Sequence, residues 1–111
     1  MKITSRQVEG VTVLDMTGRF TIGIGDVAVR NSVHEALESG AQRILLNLKN
    51  VTAVDSSGVG ELVSAYARAS NRGTKIKLVN LPEKVQDILT ITQLITVFDV
   101  FDDEAEAVAS F

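Results

Sequence analysis

Apolar and polar residues alternate in two short segments at the start of the chain, a pattern typical of β-strands with one covered face. In the second segment, residues 11–16, the two faces carry Thr12, Leu14 and Met16 against Val11, Val13 and Asp15. Gly10 lies between the segments and can take the positive φ of a tight turn. The pattern therefore predicts an antiparallel hairpin.

Later segments alternate between helical and strand-like spacing. Helices are predicted around 26–38 with Asp26 as the N-cap, around 56–70, after Pro82 in a first turn, and after Asp102 as a terminal N-cap. Strands are predicted at 75–79 and 97–101, and the nearly continuous apolar run 44–48 is typical of the centre of a parallel sheet. We expect an α/β fold over residues 1–111, with a mixed, mostly parallel β-sheet of four to five strands and about four helices.

Composition limits the class of protein. The 111 residues fit a single domain, and 14 acidic against 11 basic residues give a net charge of −3. Such a chain has no cationic field to attract nucleic acid or an anionic membrane, so we expect neither as a direct partner. It has no cysteine, and no apolar segment with the features of a signal peptide or a membrane span, so we expect a cytoplasmic protein.

Catalytic and metal-binding patterns are weak. His34, the one histidine, is predicted to lie in a helix among polar neighbours, where it is poorly placed to act as a base for Ser56. The residues before Asp55 lack the glycine that a nucleophile elbow requires. The acidic stretch 102–106 lacks the ligand spacing of a calcium loop. The glycines between 18 and 25 are not followed by the Gly-Lys-Ser/Thr ending of a nucleotide loop. We predict no catalytic residue, no metal and no cofactor.

The main candidate site is the segment 55–60, Asp-Ser-Ser-Gly-Val-Gly, where an apolar strand ends and an amphipathic helix begins. The first turn of a helix favours negative charge, so a phosphate attached there would be stabilised. Asp55 or Ser56 can also act as a plain N-cap, and the two interpretations are compatible. Gly58 and Gly60 can leave room for a partner or permit tight helix packing.

Two further features have more than one interpretation. Phe20, Ile22 and Ile24 are apolar residues in a glycine-rich, loop-like stretch, where they can either mark a partner surface or enter the core. Asn47 lies in the central apolar strand, and a buried asparagine there is expected to hold neighbouring backbone rather than a ligand.

The stretch from Ile44 to Gly60, ILLNLKNVTAVDSSGVG, resembles the signature of the STAS-domain family of bacterial anti-sigma factor antagonists. The similarity extends along almost the whole chain, from the opening hairpin through the Asp-Ser-Ser-Gly motif to the later strand-helix pair. One departure is the segment after strand two, where family members often carry Gly-Glu-Leu-Asp and this chain reads Gly18-Arg19-Phe20-Thr21. It puts the identity of the partner in question, but not the fold.

The resemblance implies that Ser56, with Ser57 as the alternative, is phosphorylated by an anti-sigma factor serine kinase. The unphosphorylated antagonist would bind the kinase and release a sigma factor, and a serine phosphatase would reverse the modification. The expected partner-binding residues are Asp55, Ser56, Ser57, Gly58, Gly60, Thr21 and Phe20. The alternatives are a nucleotide- or small-ligand-sensing domain, with a pocket between residues 18–25 and the serine loop, and an unphosphorylated subunit of a signalling or lipid-transport assembly.

Overall fold

Five strands and four α-helices follow one another in the computed structural model, which describes residues 1–111. The strands are β1 (Lys2–Val8), β2 (Val11–Phe20), β3 (Arg43–Val54), β4 (Lys75–Val79) and β5 (Val100–Phe101). The helices are α1 (Gly25–Glu38), α2 (Ser56–Asn71), α3 (Glu83–Ile91) and α4 (Glu104–Ala109), with a 3₁₀ turn at Leu94–Thr96. The predicted α/β class is confirmed.

The strands form a single sheet in the order β1-β2-β3-β4-β5. β1 and β2 are antiparallel, and the other three pairings are parallel. Gly10, with a φ of 83°, makes the predicted hairpin turn. β3 is the middle strand, as its apolar run predicted, and its carboxyl end leads directly into α2. The segment 55–60 thus lies where the central strand of the sheet ends.

Both faces of the sheet are covered, but unequally. Leu14 and Met16 of β2 face α1, α2 and α3 within a core cluster of 20 buried residues. Val11 and Val13 point to the opposite face, where α4 closes a cluster of six buried residues with Val108. The alternation predicted for β2 therefore assigns its side chains to these two cores. No helix of the chain has the length and apolar character needed to cross a membrane.

β2 and β5 differ in length from the predicted strands. β2 continues past Gly18 to Phe20, because Arg19 and Phe20 pair with Ala53 and Val54 of β3. The last strand begins only at Val100, since the chain before it forms the 3₁₀ turn. Phe98 lies in that connection rather than in a strand, where it is buried edge-on against Tyr66.

Three helix starts also differ from the prediction. α1 begins at Gly25, before Asp26, because the Thr21 carbonyl already accepts the N–H groups of residues 24, 25 and 26. The Asp26 carboxylate instead accepts the N–H of Val27. α4 is capped by Asp103, not Asp102, and Pro82 is the N-cap residue of α3 rather than part of its first turn.

Candidate functional site

Asp55 connects two parts of the site through the two oxygens of one carboxylate. It is the N-cap of α2, where its Oδ1 accepts the N–H of Gly58 at 3.0 Å. Its Oδ2 accepts the N–H of Ile22, also at 3.0 Å, from the loop between β2 and α1. The predicted helix cap is confirmed and belongs to Asp55. The same side chain also fixes a loop 33 residues away in sequence.

These hydrogen bonds keep Asp55 negatively charged. The N–H groups of Ile22 and Gly58 stabilise the ionised carboxylate and lower the pKa of Asp55 below the ordinary value of an aspartate. A fixed negative charge therefore lies directly before Ser56. Any second anion placed on Ser56 would lie next to this charge, at the positive end of the α2 dipole.

The two serines that follow differ in exposure. Ser56 is the first residue of α2 and is exposed, whereas Ser57 is half-buried. An enzyme that modifies a hydroxyl must bring its own catalytic groups around that side chain. Of the two hydroxyls, that of Ser56 is the more accessible.

The two glycines of the segment have different surroundings. A β-carbon on Gly58 would lie 2.3 Å from the carbonyl oxygen of Phe20 and 3.0 Å from Val54 Cγ2, so this position requires glycine for packing. A β-carbon on Gly60 would meet nothing within 4 Å. Tight helix packing therefore explains Gly58, while Gly60 is exposed and leaves open space beside the helix.

The loop between β2 and α1 and the first turn of α1 expose three apolar side chains. Ile22 is 70% exposed, Ile24 46% and Val27 41%. Thr21 is half-buried, and its carbonyl closes the turn by accepting N–H groups from residues 24–26. Phe20 is fully buried, so its expected role as a contact residue is corrected: its side chain belongs to the core beneath Gly58.

Glu61 was not singled out by sequence reasoning, although it joins the two helices of the site. Its carboxylate is 2% exposed and accepts hydrogen bonds from Arg30 Nε of α1 at 2.8 Å and from Arg68 of α2 at 2.9 Å. The sequence held a signal, because Glu61 occupies the same helical face as the buried residues Gly58, Leu62 and Ala65. A charge on an apolar stripe requires a partner.

Asn47 holds the neighbouring backbone at Lys49, as expected from the sequence, and also contacts two side chains. Its amide group donates to Asp15 Oδ1 at 2.8 Å, and its oxygen accepts from the Lys49 N–H and the Asn80 side chain, both at 3.2 Å. Asp15 in turn is paired with Arg6 of β1. The side chains of Arg6, Asp15, Asn47 and Asn80 therefore form one chain of hydrogen bonds across the sheet, on the side of α4.

The surface has three clefts, with volumes of about 280, 330 and 470 Å³. The smallest lies between α2 and the start of β4, near Tyr66 and Lys75. The other two follow the hairpin and α1, near Gln7 and Ser39. No cleft is lined by residues 18–25 or 55–60, where the ligand-sensing alternative requires a pocket.

The chain is a small α/β domain with a five-stranded mixed sheet and an Asp-Ser-Ser-Gly segment at the start of the helix that follows its central strand. The STAS domain model matches residues 2–107, and the chain belongs to that family. It is 25% identical over 108 residues to the anti-sigma F factor antagonist of Paenibacillus polymyxa. The alignment covers 96% of this chain and 92% of that protein.

Two further relatives support the same family. The chain is 26% identical over 100 residues to the anti-sigma-B factor antagonist of Bacillus subtilis, with 90% of each protein covered. The crystal structure of TM1081 from Thermotoga maritima matches the fold with a TM-score of 0.89 at 26% identity, over 97% of this chain and 92% of that one.

Proposed function

We propose that this chain is an anti-sigma factor antagonist. In this proposal it binds an anti-sigma factor serine kinase while Ser56 is unmodified, and phosphorylation of Ser56 ends the binding. The observation that carries the proposal is the exposed Ser56 hydroxyl on the first residue of α2, directly after the Asp55 cap. The names of the relatives from Paenibacillus polymyxa and Bacillus subtilis support the general role.

The position of Ser56 makes a phosphate compatible with the folded chain. A phosphoserine carries about 1.5 to 2 negative charges and three acceptor oxygens, and the positive dipole end of a helix favours such a group. The fold should therefore accept the modification. The surface of a partner that covers Ser56 would not share this stabilisation and would contact the phosphate charge directly.

The same phosphate would oppose docking. Desolvating a doubly charged group beside the Asp55 carboxylate carries a penalty of a few kcal/mol, and about 1.4 kcal/mol corresponds to tenfold in affinity. A partner that covers Ser56 would thus bind the phosphorylated chain more than about a hundredfold more weakly. A single hydroxyl can control association without any large rearrangement of the antagonist.

In this role the chain is a substrate and a regulator, and the chemistry is carried out by its partners. The kinase transfers the phosphate to Ser56, and a serine phosphatase removes it. The residues proposed to lie in or beside the contact area are Thr21, Asp55, Ser56, Ser57 and Gly60, with Gly58 packed beneath them. Phe20 supports this surface from the core.

The experiment is phosphorylation of the chain with ATP and magnesium by the anti-sigma factor kinase from its native cells, followed by mass spectrometric mapping. We expect one phosphate on the parent and on Ser57→Ala, and none on Ser56→Ala. Ser56→Ala should bind the kinase like the parent, whereas Ser56→Asp should bind weakly. Phosphate on Ser57 alone, or full binding by Ser56→Asp, would contradict the proposal.

A further inference from the structure

The two edge strands of the sheet differ in how much backbone they leave unpaired. β5, at one edge, consists of two residues. β1, at the other edge, has seven residues, contains no proline and pairs with β2 in unbroken register. Natural sheets block an exposed edge with very short strands, bulges or proline, because unpaired backbone groups there can bind a further strand. β1 has none of these features.

The hairpin turn decides which backbone groups of β1 are free. Glu9 and Gly10 have φ angles of 50° and 83°, as in a two-residue turn whose closing hydrogen bond joins the flanking residues Val8 and Val11. Hydrogen-bonded and non-bonded pairs alternate along antiparallel strands, so every second residue counted back from Val8 bonds to β2. The residues between them direct their N–H and C=O groups to the open edge. These outward residues are Ile3, Ser5 and Gln7.

A second copy of β1 is complementary to this edge. The outward residues are spaced evenly about Ser5, so a two-fold axis at Ser5 pairs each of them with an outward residue of the second copy. Ser5 then faces Ser5, and Ile3 faces Gln7. Each outward N–H and C=O group finds a partner in this antiparallel register. Because the same patch is used on both copies, the assembly closes as a dimer.

The charges of β1 exclude the neighbouring registers. An axis at Thr4 would place Lys2 opposite Arg6 of the second copy, and an axis at Arg6 would place two arginines opposite each other. Like charges directly opposite each other destabilise a strand pair. With the axis at Ser5, Arg6 faces Thr4 and Lys2 faces Val8, so neither charge meets another.

The side chains at this edge leave room for a second strand. Ser5 and Gln7 are exposed, and Ile3 is half-buried. On the α1 side, these three side chains line an open cleft of about 330 Å³. The residue at the axis is therefore small and uncovered. Ile3 would gain cover from Gln7 of the second copy, which removes further apolar surface from water.

We propose that this chain self-associates by antiparallel pairing of two β1 strands about a two-fold axis at Ser5, so that one sheet continues through both copies. β2 lies between β1 and the strand that leads to Ser56, so the pairing strand does not include the candidate site. The interface is small, and the association is therefore weak and depends on concentration. This inference does not depend on phosphorylation of Ser56.

The first test is sedimentation equilibrium of the purified chain up to about 1 mM, a concentration chosen because a small interface gives a weak complex. We expect a reversible equilibrium between monomer and dimer. Ser5→Pro should weaken it at least about tenfold, because each copy loses an edge N–H. The fold should tolerate this proline, since the N–H that it removes makes no bond to β2. Thermal unfolding checks that it does.

A pair of charge variants tests the position of the axis and remains decisive if Ser5→Pro does not fold. Ser5→Asp and Ser5→Lys should each associate about fivefold more weakly than the parent, because like charges then face each other across the axis. An equimolar mixture of the two should form a mixed dimer at least as tight as the parent dimer. Ser70→Lys is the matched control, since Ser70 is exposed on α2, and it should associate like the parent.

NMR hydrogen exchange gives a second readout for the parent. The amides of Ser5 and Gln7 should gain protection as the concentration rises, whereas those of Thr4 and Arg6 should be protected throughout. A parent that stays monomeric at the highest concentration overturns the inference. So does association that a folded Ser5→Pro leaves unchanged, or a mixture of the charge variants that is no tighter than each alone. Phosphorylation of Ser56, and with it the proposed function, stands in each of these cases.

Discussion

Gly58 packs directly against Phe20: a β-carbon on Gly58 would lie 2.3 Å from the Phe20 carbonyl oxygen and 3.1 Å from Cγ of the Phe20 ring. This contact joins the first turn of α2 to the end of β2. It also explains why Phe20 is buried although it stands in a glycine-rich stretch, since the helix start closes over it. The close packing of the first turn of α2, which carries Ser56, therefore requires glycine at position 58.

Gly58→Ala should destabilise the fold by about 2 kcal/mol or more, because the backbone that it would meet cannot move without shifting β2. Gly60→Ala is the matched control, since its β-carbon would meet nothing. Alanine there should stabilise the helix by about 0.5 to 1 kcal/mol. Urea unfolding of the two variants measures the contrast, and equal free energies of unfolding would show that the contact is not rigid.

Much of the fold could be predicted from the sequence because the signals are local. The signals for the hairpin at Gly10, for β3 as a buried central strand and for the start of α2 after Asp55 each lie in a few neighbouring residues. β2 could not be followed to Phe20, because its last residues are strand only through pairing with Ala53 and Val54. Such pairing is a long-range property that alternation along one segment does not contain.

The site was predictable in its residue types but not in its contacts. Asp55 or Ser56 was expected as a cap; the cap is Asp55, and its bond to Ile22 joins residues 33 positions apart. Gly58 and Gly60 look equivalent in the sequence and differ only in what packs above them. Glu61 gave a signal through its place on an apolar face, but its partner Arg30 lies on another helix. Each of these differences arises from tertiary packing, which the local sequence pattern does not contain.

The two oxygens of Asp55 can be separated by substitution. Asp55→Ser keeps a good N-cap for the Gly58 N–H, but the shorter side chain cannot reach Ile22. We expect the Ile22 amide to exchange its hydrogen faster in this variant while the Gly58 amide keeps its protection. Asp55→Ala should expose both amides. Hydrogen exchange followed by NMR reports each one, and unchanged protection of Ile22 in Asp55→Ser would contradict the bond.

Protonation of Asp55 should have a related effect. Its pKa is lowered by the bonds from Ile22 and Gly58, so the carboxylate contributes stability at pH values above the pKa of an unfolded aspartate. That contribution is lost as the pH falls through the folded pKa. We expect the Asp55 carboxyl signal to titrate below the ordinary range of an aspartate, and to do so together with the Ile22 amide shift. Independent titration of the two signals would contradict the coupling.

Arg6 holds two carboxylates on the α4 side of the sheet. Its guanidinium binds Asp15 at 2.6 Å and Glu104, and these hydrogen bonds lower the pKa of both acids. Both groups therefore stabilise the fold above the pKa of an unfolded carboxyl and lose this effect as the pH falls. Arg6→Gln should raise both pKa values towards the ordinary range, as measured by NMR titration.

The same substitution predicts a pH-dependent loss of stability. At neutral pH Arg6→Gln should lower the free energy of unfolding by about 1 kcal/mol or less, since the ion pairs are partly exposed. In strong acid, where both carboxyls are protonated, parent and variant should converge. Arg43→Gln is the control, because Arg43 is exposed and has no ion pair. A loss that stays constant with pH would assign the effect to packing.

Glu61 should be the most sensitive charged residue of the chain, because its buried carboxylate bridges α1 and α2. Glu61→Ala removes the partner of Arg30 and Arg68, and we expect it to lower the free energy of unfolding by about 2 kcal/mol. Arg30 is 55% exposed and can turn towards water, which keeps the loss below that of a fully buried pair. Glu35→Ala, at an exposed position of α1, should change the stability by less than about 0.5 kcal/mol. Urea unfolding compares the two variants, and equal losses would show that the bridge between the helices contributes no more than an ordinary surface charge.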